Sequence, residues 1–263
     1  MDADVIIGFG SAGLAVVGAV ASGLLASRAN RQAHELDRKR RLDTQIEDAE
    51  RILNQYRDPL LDAAQTLQSR LFNIIRQGYL VRYLHCGDAE EEQYARDYTL
   101  YAIAEYLCWV EIVRRELRFL DLGDVARNRQ LLGHLTQTQA TFQSDRFALP
   151  LRLFRGRQRA IAEMMMVPTT AAEGPRSECL GYAAFSRRLH GDAEFASWLH
   201  RLNDDIDVVA RSNEAENVRL VQLQRDLIDL IDFLDPRSIR IPPSFRNRLP
   251  PPTTPSPAPS PAP

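Results

Sequence analysis

The chain has 263 residues, enough for one or two domains of ordinary size, and its 26% charged and 44% hydrophobic residues match a folding, globular composition. Its 33 basic residues nearly balance 35 acidic ones, which removes any whole-chain argument for a nucleic-acid partner, and none is expected. Cys86, Cys108 and Cys179 are odd in number and form no CxxC, which indicates neither a disulfide framework nor a structural zinc site and fits a reducing compartment.

After residues 1–4, the stretch 5–26 carries no charge, and as a helix it reaches roughly 33 Å, the thickness of a bilayer core. Acidic residues precede it, and Arg28, Arg31, Arg38, Lys39, Arg40 and Arg41 follow. This asymmetry predicts an uncleaved single-pass anchor in the cell membrane, N-terminus out, with the rest of the chain cytoplasmic. The same six basic residues are expected to lie against anionic lipid, on a juxtamembrane helix over 27–57. Ser11, Ala15, Ala19 and Gly23 recur every four residues, the pattern by which membrane helices self-associate.

The same stretch offers a second reading. Gly8, Gly10 and Gly13 after Val5-Ile6-Ile7 form GxGxxG, which resembles the opening of a dinucleotide-binding fold and implies a flavin or nicotinamide enzyme. Such a fold needs a second buried strand ending in an acidic residue about 20 positions on. Glu35 and Asp37 have that spacing, but the sequence around them has no β-branched apolar run. The anchor is therefore the preferred reading, and no cofactor is expected.

From Leu42 to Ile74, apolar residues recur at intervals of three and four, predicting helices that meet at Asp58-Pro59, the second running to about Leu84. His85-Cys86-Gly87-Asp88 breaks the pattern, and Asp88 with Glu91 reads as a cap for a helix over 89–120. Further helices are expected from Asp124 to Asp145, Arg155 to Met166, Cys179 to Leu189, Asp192 to Ala210, and from an Asn213/Glu216 cap to Leu234. Residues 169–178 read as a loop and no segment as a strand, so 58–240 is expected to be an all-α bundle. Ten of the fifteen prolines lie at or beyond Pro242, predicting a disordered tail over 241–263 in which Pro252 and Pro255 form only a bare PxxP.

Recognised catalytic signatures are missing: no glutamate precedes a histidine by three residues, and GxSxG, HExxH and the phosphate-binding P-loop are absent. His200 and Asp204 share a helix face, too few ligands for a metal. Tyr94, Tyr98, Tyr101, Glu105 and Cys108 share a stripe that places Glu105 among aromatic rings, where an arginine such as Arg155, Arg157 or Arg159 is the expected partner. Those three arginines, at a helix start, are also the candidate anion site, unless they answer the acidic series Asp226, Asp229, Asp232 and Asp235. The expectation is an all-α, membrane-anchored scaffold or adaptor rather than an enzyme, the alternatives being a dinucleotide-binding enzyme through Gly8, Gly10 and Gly13 or a sensor of lipid or nucleotide phosphate through Arg155, Arg157 and Arg159. Its expected partners are the lipid bilayer and either a protein partner or a second copy of itself.

Overall fold

A computed structural model describes residues 35, 38–41, 44, 55–117, 125–147, 150–171, 174–212 and 217–251. The chain divides into two units, Met1–Arg51 and Ile52–Pro263. In the first unit the described residues are helical and exposed, Arg38, Lys39, Arg40 and Arg41 among them. There the Thr44 hydroxyl donates to the Arg40 carbonyl at 2.9 Å, a helical i to i−4 contact. The expected span over 5–26, the glycine motif, the small-residue series at Ser11, Ala15, Ala19 and Gly23, and Arg28 and Arg31 all lie outside the described residues. Among the described residues no helix is long and apolar enough to cross a membrane.

The second unit is mostly helical, as its periodicity predicts. Helix α1 is described over 55–77, and it passes through Pro59 instead of starting there. It ends at Gly78, whose φ of 61° is left-handed and open to glycine at little cost, and the short α2 follows over Tyr79–Tyr83. The expected single helix to Leu84 is thus broken by this glycine. Helix α3 spans Ala89–Leu117; Asp88 Oδ1 accepts from the backbone N–H of Glu90 and Glu91, as an N-cap should. The reciprocal contact comes from Glu92, whose carboxylate accepts from Gly87 N–H at 2.9 Å.

Helices α4 (Val125–Gln143) and α5 (Arg155–Met165) come next. Strands β1 (Met166–Ala171) and β2 (Gly174–Cys179) then pair antiparallel, Met166 opposite Cys179. This hairpin replaces the loop read from the sequence. Its signal is weak because the strands hold Pro168 and Pro175 and show no alternating apolar run. Its base is held instead by α5, whose Met165 carbonyl accepts from Leu180 N–H at 2.9 Å. Helices α6 (Tyr182–Gly191), α7 (Ala193–Arg211) and α8 (Val218–Leu234) complete the bundle. Asp192 caps α7 by accepting from Phe195 N–H at 3.0 Å, while the expected cap at Asn213 and Glu216 lies outside the described residues.

Fully buried residues on α1, α3, α4, α7 and α8 join into one core, including Leu67, Ala102, Tyr106, Leu135, Leu202 and Leu227. Burying each large apolar side chain contributes about 1.5–3 kcal/mol relative to exposure. The chain does not leave this core at residue 241: Ile241 and Leu249 are buried, and Gln224 on α8 donates to the Asn247 carbonyl and accepts from Leu249 N–H. The expected disordered tail over 241–263 is thus corrected for 241–251, because 235–251 forms a strap across α8 and α1; residues 252–263 lie outside the described residues. Gln68 of α1 donates to Phe245 O and accepts from Gln224.

Candidate functional site

Arg70 lies on the apolar face of α1, one helical turn from Leu67 and Ile74. It is 7% exposed. Its guanidinium carbon sits 4.3 Å from the ring centre of Tyr79 on α2, and 4.8 and 5.8 Å from those of Tyr98 and Tyr94 on α3. Each such contact gives about 0.5–2 kcal/mol of attraction between cation and ring. Among the described residues no carboxylate pairs with Arg70, and its buried Nη1 has no hydrogen-bond partner. An unpaired buried cation costs several kcal/mol, which rings offset only in part.

That arginine lines a cavity of about 350 Å³ with Gln65, Thr66, Ser69, Asn73, Tyr79, Tyr94 and Tyr98. Thr66, Arg70 and Asn73 follow at intervals of four and three, so one face of α1 supplies the charge and its neutral polar neighbours. Tyr79 comes from α2 and Tyr94 and Tyr98 from the α3 stripe, joined by Tyr182 of α6, whose ring meets those of Tyr94, Tyr98 and Tyr101 edge-on. Burial raises the Tyr98 hydroxyl above its ordinary value, and the nearby Arg70 charge opposes that rise. The buried cation without a counter-charge, at a cavity of this size, suits an anion.

The residues singled out from sequence do not assemble a site. Residues 155 and 157 point about 200° apart on α5, while Arg159 pairs with Glu111 at 3.3 Å. They therefore do not converge on one anion, and they do not answer the acidic series either. Steps of three residues rotate by −60° each, so that series winds around α8 instead of forming a stripe. Asp226 and Asp235 end up buried, Asp229 and Asp232 partly exposed. Arg248 bridges Asp229 and Asp232, and Arg246 bridges Asp232 and Asp235.

Glu105 has no arginine partner among the described residues. It accepts instead from Tyr101 OH at 2.9 Å, and burial raises its carboxyl above the ordinary range against that bond. His200 pairs with Asp204 at 3.0 Å on an exposed face, and no group of three metal-binding side chains forms among the described residues. Ser186, His190 and Asp97 do meet, but serine and histidine both contact Asp97 Oδ2, at 3.5 and 2.7 Å. Sharing the acid in this way ties α6 to α3, and the histidine meets the carboxylate instead of the hydroxyl, unlike the order of a catalytic triad.

No family model matches this chain, and no curated protein or solved structure matches it either. The functional reading therefore rests on its own residues, and the Arg70 cleft joins a buried, unpaired charge to a cavity.

Proposed function

We propose that this chain is a membrane-tethered, non-catalytic helical binding module, a scaffold or adaptor whose cleft at Arg70 receives an anionic ligand group. The observation that carries this reading is the buried guanidinium with an unpartnered Nη1 at an open cavity. A ligand oxyanion at the edge of the guanidinium that faces the cavity would supply the counter-charge that the fold withholds, and charge-assisted bonds of this kind are the strong ones. The uncharged stretch 5–26 followed by basic residues supports a tether, which would hold the module at the inner face of the cell membrane. Self-association through Ser11, Ala15, Ala19 and Gly23 would make the module at least dimeric.

Fractionation of cells expressing the full chain tests the tether. Recovery in the membrane, extracted by detergent and not by high salt, is expected; extraction by salt alone would reduce the attachment to surface charge. Titration of the detergent-solubilised chain with inorganic phosphate tests the cleft. Saturable binding lost in Arg70→Met is expected, and equal binding by both proteins would remove Arg70 from the site.

A further inference from the structure

Beside the Arg70 cavity lies a second one, of about 570 Å³, lined by Tyr79, Tyr83, Asp88, Glu90, Glu91 and Tyr94. Tyr79 and Tyr94 border both. One pair of rings thus separates a buried, unpaired cation from a pocket of opposite character, with three aromatic walls and three carboxylates. Asp88 is committed in part to capping α3, and Glu91 Oε2 accepts a weak bond from Cys86 Sγ at 3.7 Å. None of the three carboxylates forms an ion pair among the described residues.

Resting on the anion-binding reading above, we propose that the two cavities together take a zwitterion: a phosphate ester whose oxyanion meets Arg70 and whose alkylammonium group lies against Tyr79, Tyr83 and Tyr94. The charge pattern selects for this. A polyanion such as a nucleoside triphosphate would satisfy Arg70 but meet three carboxylates next door, and like-charge contact is unfavourable. A plain cation would suit the tyrosines and carboxylates but leave the guanidinium orphaned. A ligand of one negative and one positive end satisfies both pockets, and a quaternary ammonium needs no hydrogen bonds, only aromatic faces and diffuse negative charge. The same chemistry occurs on a choline-type lipid headgroup and on a free phosphocholine ester.

The full chain, kept in a sugar-headed detergent, is titrated with inorganic phosphate, choline and phosphocholine by calorimetry. Phosphocholine is expected to bind at least about tenfold tighter than phosphate, the gain that one added cation–aromatic contact supplies. In the Glu90→Gln, Glu91→Gln double variant, exposed positions that leave the core untouched, this advantage should shrink while phosphate binding persists. In Arg70→Met, with helix content checked by circular dichroism, both anionic ligands should be lost. Equal affinity for phosphate and phosphocholine would overturn the zwitterion and leave the anion site standing; no binding of either would overturn the anion site itself. Choline binding as tightly as phosphocholine and surviving Arg70→Met would overturn the two-ended ligand. Glycerophosphocholine and a short-chain phosphatidylcholine separate the sources, since preference for the acylated compound marks a lipid headgroup and equal binding a soluble ester.

Discussion

Two buried arginines in this bundle are solved in opposite ways. Arg219, on the first turn of α8, is 1% exposed and donates to the carbonyls of Thr141, Phe142, Ser144, Phe147 and Pro150 at 2.7 to 3.4 Å. These are the carbonyls that the end of α4 and the turn after it leave without helical partners. Burial pushes the Arg219 guanidinium down to about 10, so it stays charged at neutral pH. Arg70 is buried to nearly the same degree, but meets tyrosine faces in place of carbonyls and keeps Nη1 unpartnered. A fold that saturates one guanidinium and leaves another open has made the first a structural knot. The second stays available to something outside the fold.

Removing each arginine breaks or sharpens this contrast. The largest effect is expected for Arg219→Met, which strips charge-assisted bonds from buried carbonyls: a loss of about 3 kcal/mol or more in urea unfolding. Next comes the strap. Arg246 is held by the Asp232 and Asp235 carboxylates and donates to the Ile241 and Asp235 carbonyls. Arg246→Ala should cost about 2 kcal/mol and expose 235–251 to limited proteolysis before the helices.

Arg70→Met is smaller and can have the opposite sign: exchanging an unpaired buried charge for an apolar chain should change stability by under about 1 kcal/mol or raise it. The smallest effect is a pH trend. Because the Glu105 carboxyl is raised in the folded protein, its contribution is full below its ordinary value of 4.5 and lost as pH rises through the raised value. Glu105→Gln keeps the acceptor for Tyr101 and carries no proton. Its melting temperature should gain on the wild type as pH rises from 4 to 8, and a constant difference would contradict the assignment.

Asp235 behaves in the reverse sense. Burial alone would raise it, but the backbone N–H groups of Ile239, Arg240 and Ile241 together with Arg246 hold it below the usual carboxylate range. Its stabilisation is therefore present above the ordinary carboxylate value and lost as pH falls through the depressed one.

Helical class and most element ends were legible in the sequence, because spacings of three and four between caps such as Asp88 and Asp192 leave few alternatives. Burial of polar side chains was the part that misled. Asp226 and Asp235 look like an exposed series on paper, yet the rotation of the helix and the arrival of the strap bury both. The candidate cleft was half visible. Tyr94, Tyr98 and Tyr101 stand out at helical spacing, and an arginine between Leu67 and Ile74 interrupts an apolar face where a charge is unfavourable. What the sequence hides is that Gly78 turns α2 back so that Tyr79 covers Arg70, since a left-handed residue in mid-helix sequence carries no signal beyond the glycine itself.

Thermal unfolding of the full chain and of Arg70→Met, each with and without inorganic phosphate, tests the open guanidinium most directly. The account predicts that phosphate raises the melting temperature of the wild type alone, while the variant without phosphate is at least nearly as stable as the wild type. A variant destabilised as severely as Arg219→Met, or one stabilised by phosphate to the same extent as the wild type, would make Arg70 a structural residue and contradict the site.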